Sequence, residues 1–381
     1  MWSEIRNINP VLYFDATGSI IVDIPNQNKP LLYSLVAHDV KNKCIMPIGE
    51  FVTTSHTSNS ITHKLSEIRN YIIDSSPKAS PEIVVTDFSW ASINAVNKTF
   101  NNNNSILSYL NWSFDFFVLQ RNKVILKDMF TTIIYICSVH TLKNVIKKSK
   151  LVIVDEKVRK AFIFCFAILQ NCVNHDTFNY LLFHVYKLFN MNKMNAFFFE
   201  SYRELKQEVQ NHNLQSTDVN NDATSDNEGL KNTTIVFSSQ ESVESIKHNS
   251  PYTAYYVDIL NKYKSILTEN QNQNEIEMNK DNEYYSPALF DIILEYLHLL
   301  PLWTGLAIHT ILVKYPEIKI KTRLDNNPVE NNFGHIKTNL FQNKKLTPSE
   351  MCAKLYDRYK LKYILHYMNV DEAKMGKIPM H

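Results

Sequence analysis

Six glycines serve a chain of 381 residues, where average usage of about 7% would supply about 27. Folds that wrap backbone around a phosphate or a dinucleotide need glycine at fixed spacings, because only glycine lets the chain turn sharply and approach the ligand. Neither G-x-G-x-x-G nor G-x-x-x-x-G-K-[ST] occurs, which argues against a Rossmann site, a P-loop and a kinase. Hydrophobic residues at 44% and aromatics at 12% suffice for a sizeable core, which excludes wholesale disorder.

Apolar patterning divides the chain. Short runs at 11–14, 19–23, 31–37 and 82–86, separated by Gly18, Pro25, Pro77 and Pro81, read as four strands. Helical spacing at 60–73 and 90–100 completes an α/β unit with a mixed sheet. Residues 101–128 read as irregular. From Met129 onward the pattern is long aromatic-rich helices at 158–170, 177–207, 252–267 and 287–314, then 328–340 and 348–368. The stretches at about 211–250 and 269–283 are rich in Asn, Ser and Gln and are expected to be flexible, having too little apolar surface to offset ordering. The expected plan is a core begun by residues 1–150, an all-α insertion at 151–320, and C-terminal helices at 321–381 that complete the core.

Five unevenly spaced cysteines make no disulfide framework and suit a reducing compartment. No signal peptide is expected at the N-terminus. The apolar stretch 289–313 carries Asp291, Glu295, His298 and Pro301, so it reads as buried helices rather than a membrane span. A soluble intracellular protein is expected. The net charge of +2 gives no global nucleic-acid signature. Local basic groups carry that possibility instead: Lys143, Lys147 and Lys148, then Lys319, Lys321 and Arg323, then Lys337. The second group alternates with apolar residues and reads equally as a half-exposed strand.

Three acidic residues stand out by context. Asp15 and Asp87 each follow an apolar strand, and Glu330 projects from the first turn of a helix opened by Asn327-Pro328. Each has a plainer reading. Asp15 suits a turn, Asp87 suits the N-cap of the helix at 90, and Glu330 suits a capping pattern with Asn327 as N-cap, Pro328 at N1 and Glu330 at N3. If the three converge, their repulsion calls for cations, and oxygen ligands select Mg²⁺ or Mn²⁺. Two such ions support in-line phosphoryl displacement. Cys137 with His140, and Cys172 with His175, are spaced for one helix face each, but the gap between the pairs lies outside finger spacings. Helix packing outranks zinc there. Trp303 reads first as a core residue and second as a base-stacking platform.

At these residues the chain resembles Mutator-like element (MULE) DDE transposases of the RNase H-like superfamily. The matching strings are Phe14-Asp15-Ala16-Thr17; Val85-Thr86-Asp87 followed by Ala91 and Ala95-Val96; Cys137-Ser138-Val139-His140 with Lys143-Asn144; and Asn327-Pro328-Val329-Glu330-Asn331-Asn332-Phe333 with Ile336-Lys337. The resemblance spans about residues 11–340. It implies an RNase H-like sheet interrupted by a helical insertion, with Asp15, Asp87 and Glu330 as catalytic ligands of two Mg²⁺ (or Mn²⁺) ions. It implies that Cys137 and His140 lie near the site, with His140 touching phosphate or supporting the metal. It implies DNA cleavage and strand transfer on transposon ends and target, in the nucleus, by a self-associating protein with no small-molecule cofactor. Members usually carry a zinc-type DNA-binding module before the catalytic domain, and the first strand here starts about ten residues in. The interval between Asp87 and Cys137 is long, and the Asn-rich tracts are atypical. These departures keep open a catalytically inactive DNA- or chromatin-binding derivative. An RNase H-type nuclease is the second alternative.

Overall fold

A computed structural model describes residues 2–75, 80–120, 132–212, 243–273, 280–314 and 323–368. In chain order the elements are α1 (Trp2–Arg6), β1 (Val11–Thr17), β2 (Leu31–Asp39), β3 (Cys44–Thr53), α2 (Ser58–Ser75), β4 (Ile83–Thr86), α3 (Trp90–Phe100), α4 (Ile106–Phe117) and β5 (Ile133–Ile136). There follow α5 (Ser138–Val152), α6 (Glu156–Asn171), α7 (His175–Asn190), α8 (Ala196–Asn211), α9 (Val243–Asn249) and α10 (Pro251–Gln273). The last are α11 (Pro287–Leu297), α12 (Leu300–Trp303), α13 (Leu306–Lys314), α14 (Asn327–His335) and α15 (Pro348–Met368). Between α14 and α15, residues Ile336–Leu340 form a π-helical turn that continues α14.

The five strands make one mixed sheet in the order β3-β2-β1-β4-β5. β1, β2 and β3 are antiparallel neighbours, whereas β4 runs parallel to β1 and β5 parallel to β4. Both faces are covered. Leu12, Phe14, Val84, Ile134 and Ile136 face α2, α3 and α4, and the same apolar cluster continues without interruption into α6–α8 and α10–α12. The alternate residues Val11, Tyr13, Ile83, Val85, Ile133 and Tyr135 face α13, α14 and α15. This period-two division is why β4 and β5 are buried along their whole length, and apolar in all but Thr86 at the end of β4 and the Tyr135 hydroxyl: each is covered on two sides. Among the described residues, no helix is long and apolar enough to cross a membrane.

Several elements differ from the sequence expectation. Residues 19–23 are not a strand; Ser19 takes a left-handed φ of 67°, and only Ile21 pairs, with Leu346. Ile20 and Ile21 are apolar because they bury against the C-terminal helices. The third strand is β3 instead. Its pattern is masked by Pro47, absorbed by an irregularity between Leu35 and Val36, and by Gly49, where a side chain would meet Ile68 at 2.6 Å. Residues 106–117 form α4, capped by Ser105 accepting from the Ser108 N–H. β5 lies where helix was expected. The helix expected over 177–207 breaks between α7 and α8, where Asn195 caps α8. The helix expected over 287–314 is three helices, interrupted at Leu299 and Gly305. Inside the stretches expected to be flexible, α9 and the end of α10 are helical. Asn282 is buried and donates to the carbonyls of Leu188 (2.8 Å) and Met191 (2.7 Å). At Asn282 the polar side chain serves backbone carbonyls rather than solvent. Lys319 and Lys321, with the strand expected around them, lie outside the described residues.

Candidate active site

Register brings the acidic residues together. Phe14 pairs with Thr86 in parallel, so Asp15 and Asp87 are the next residues on adjacent strands and point to the same face. Thr86 pairs with Ile136, which makes Cys137 the next member. On the other side Asp15 is opposite Ser34, and Ser34 is opposite Glu50. One polar row, Glu50–Ser34–Asp15–Asp87–Cys137, therefore crosses the whole sheet. Along β1, β4 and β5 it sits just beyond the last apolar residues.

Helix α14 lies over this row. Its approach is fixed by β5 and α5: the Ser138 N–H donates to the Leu324 carbonyl (2.9 Å), and the Asn326 N–H donates to Cys137 Sγ (3.3 Å). The Asn326 side chain is not a cap. Its Nδ2 donates to Asp15 Oδ2 (3.5 Å), while the Ala16 N–H donates to Asp15 Oδ1 (2.7 Å). Glu330, one turn into α14, comes within 3.5 Å of His140 Nε2 from the first turn of α5. The two side chains are 43% and 32% exposed, so this end of the site is open to solvent.

The electrostatics follow from this crowding. The residue Asp15 is half-buried, but its carboxyl is enclosed enough that desolvation is the main force raising it well above the usual carboxylate range. The charge of Asp87 raises it next, and that of Glu330 adds to it, opposed by the bonds from Ala16 and Asn326. Asp87 is also raised by desolvation, with His140 and hydrogen bonds from Ser92, Thr86 and Ser89 pulling the other way. Burial pushes the Cys137 thiol up to about 12, so it stays protonated and serves as an acceptor for Asn326.

The plainer readings of the three acids fail. Asp15 belongs to β1 and pairs with Ser34 rather than making a turn. Ser89, not Asp87, caps α3, accepting from the Ser92 N–H. Asn327 is not the N-cap of its helix: Asn326 takes that position, Pro328 moves to N2 and Glu330 to N4, past the capping-box position. Glu330 is left facing His140 with no capping duty.

The remaining residues divide. Lys143 and Lys147 follow His140 at three and seven positions along α5, one helix face leading away from the carboxylates. Lys148 ion-pairs with Glu295 and lies over the Tyr296 ring, tying α5 to α11. Arg323 sits just before α14, half-buried beside Tyr135, and Lys337 lies half-buried in the π-helical turn. Trp303 is fully buried, stacked on Phe166 and donating to the Tyr296 carbonyl (2.9 Å), so it is core and no platform for bases. The Cys172 Sγ is engaged by the Ile168 carbonyl, and His175 packs on Tyr255. Sequence reasoning missed Ser34, Glu50, Asn326 and Asn332. Glu50 in an apolar surround was the signal available for one of them.

A cation fits the donor set chemically. Two neighbouring carboxyls that hinder each other's ionisation gain from a hard positive charge, and all donors are oxygen. With Glu330 turned to His140, the three are not drawn into a chelating group as they stand: among the described residues, no three His, Cys, Asp or Glu are so gathered. No protein-family model matches the chain, and no curated protein matches it either.

Proposed function

We propose that this chain is a DDE polynucleotidyl transferase of the MULE transposase type, or a protein derived from one, acting on DNA in the nucleus. The observation that carries the reading is the convergence of Asp15 and Asp87, in register on the two central parallel strands, with Glu330 carried over them by α14. The strand order and strand senses are compatible with an RNase H-like sheet. The helices between β5 and α14 are compatible with an insertion separating the second and third acids.

Asp15, Asp87 and Glu330 would hold two Mg²⁺ or Mn²⁺ ions. When bound, these would activate a water or 3′-hydroxyl and stabilise the leaving oxygen of an in-line displacement. The protein's own groups do the positioning. Ala16 and Asn326 fix the two oxygens of Asp15, and the Thr86 hydroxyl donates to Asp87 Oδ1 (3.4 Å). His140 holds Glu330 in the metal-free chain and would release it to a bound ion. Lys143 and Lys147 contact the phosphates of DNA leaving the site, without reading its sequence. Strand transfer needs two DNA ends held together, which calls for self-association.

The test is cleavage of duplex DNA with and without Mg²⁺ or Mn²⁺, by the wild-type chain and by Asp15→Asn, Asp87→Asn and Glu330→Gln. Cleavage that needs the ion and falls by roughly 10²-fold or more in each variant is the expected result. Ion-independent DNA binding with no cleavage would move the reading to a non-catalytic DNA- or chromatin-binding derivative. Cleavage of RNA–DNA hybrids alone would move it to an RNase H-type nuclease.

A further inference from the structure

The end of the polar row away from Asp87 holds a buried charge pair that the chemistry above does not use. Glu50 on β3 and Arg358 on α15 have side chains only 2% and 5% exposed, and Arg358 Nη1 lies 3.9 Å from Glu50 Oε1. Between them sits Asn332 of α14, itself buried. Its Nδ2 donates to Glu50 Oε1 (3.0 Å) and to Ser34 Oγ (3.2 Å), and its Oδ1 accepts from Arg358 Nη2. Ser34 donates in turn to Glu50 Oε1 (2.8 Å). Every hydrogen-bonding valence on the nitrogen of Asn332 is used, and its oxygen is held by the cation. The amide cannot flip without placing N–H against N–H.

Asn332 and Asn326 thus reach down from α14 to the same row on either side of Glu330: Asn326 to Asp15, Asn332 to Ser34 and Glu50. A helix held at two points, before and after Glu330, can neither roll nor slide over the sheet. Charge-assisted bonds are the strong ones, so the Arg358 end is the firmer of the two grips. Helix α15 is itself anchored to the sheet, with Lys362 Nζ donating to the Ile45 carbonyl (2.7 Å).

We propose that Arg358 is a positioning residue for Glu330: acting through Asn332, it locks α14 so that the third carboxylate is held above Asp15 and Asp87. The catalytic half of this inference rests on the function proposed above; the mechanical half does not. A displacement of about 1 Å in a catalytic group can lower a rate by about 10²-fold, which is why a clamp remote from the reacting atoms matters.

The test uses the full chain. Arg358→Met alone strands the buried Glu50 charge and risks unfolding. The double variant Glu50→Gln/Arg358→Met removes both charges while keeping, on the new amide, an oxygen that accepts from Ser34 and Asn332. Arg358→Lys keeps the charge but loses the planar fork that serves Asn332 and Glu50 together. Three quantities are measured: thermal midpoint, hydrogen exchange of the α14 amides without metal, and Mn²⁺ affinity. In folded variants the α14 amides are expected to exchange at least tenfold faster and Mn²⁺ to bind at least tenfold more weakly, with Arg358→Lys intermediate. Unchanged α14 exchange in a folded variant would overturn the clamp. Faster exchange with unchanged Mn²⁺ affinity would overturn the positioning role. If the wild-type chain binds no Mn²⁺, the proposed function and the link to Glu330 fall together, while the exchange data still decide the clamp.

Discussion

Replacing Asp15 by Asn should stabilise the metal-free protein at neutral pH. Asp15 and Asp87 stand side by side on parallel strands one residue beyond the Phe14–Thr86 pair. Strand spacing then puts their carboxyls roughly 5–6 Å apart. At an effective dielectric of about 20, two charges at that distance repel by about 3 kcal/mol. Both residues are half-buried, so solvent screens part of this, and the variant gives up the Asn326 bond to Asp15 Oδ2, which at 3.5 Å is long and worth on the order of 1 kcal/mol. A net gain of about 1–2 kcal/mol remains, which over a chain of 381 residues raises the thermal midpoint by roughly 1–3 °C. The gain has a definite pH dependence. Folded Asp15 titrates above its unfolded value, so over an interval above the usual carboxylate range the folded chain keeps a proton that the unfolded chain has lost. Wild-type stability therefore falls as pH rises through that interval, and the advantage of Asn appears there and vanishes in acid. The assay is thermal unfolding of both proteins in a chelator at pH 4 and pH 7.5. Added Mg²⁺ should reverse the order, since an ion bound only by the folded wild type stabilises it by about 2.7 kcal/mol at a hundred times its Kd. No gain at pH 7.5, or the same change at both pH values, would refute the crowding of the two carboxyls.

Trp303→Ala should lower stability by about 3–5 kcal/mol, as for other buried aromatics, yet leave the DNA affinity of the folded fraction unchanged; a selective loss of single-strand binding would contradict its place in the core. Lys147→Ala should weaken DNA binding for all sequences and reduce the slope of log affinity against log salt by about one, measured by fluorescence anisotropy. Lys148→Ala should leave that slope nearly unchanged, because its ammonium is paired with Glu295. Asn326→Ala, which removes a bond that favours ionised Asp15, should drive the Asp15 titration further upward, followed by carboxyl NMR in the metal-free chain.

The parts of the fold legible in the sequence were those set by local pattern. β1, β2, β4 and the helix α15 announce themselves by apolar runs or by proline at the boundary. β3 does not, because Pro47 and Gly49 answer to a strand irregularity and to Ile68, both tertiary facts. The apolar run at 19–23 misleads for the converse reason: Ile20 and Ile21 serve a core contact without pairing as a strand. For the site, the two aspartates could be found because each ends an apolar strand. Their neighbours Ser34 and Glu50 could not, since membership of the polar row depends on which strands pair and in what register. The helix carrying Glu330 was legible, but its start was misplaced by one residue, and that residue decides whether Glu330 caps a helix or faces His140.

The sheet face that carries the two aspartates has a consequence for how the chain is made. The five described strands are complete by Ile136, but the helices that cover Val11, Tyr13, Ile83 and Val85 come from α13, α14 and α15. At about 5–20 residues per second, a ribosome needs on the order of tens of seconds to deliver them. For that interval a finished sheet would present an apolar face with no lid, a surface that invites association between nascent chains or capture by a chaperone. The same delay means that Glu330 can join Asp15 and Asp87 only once α14 has emerged, so a chain stopped short of α14 would carry both aspartates and no third acid.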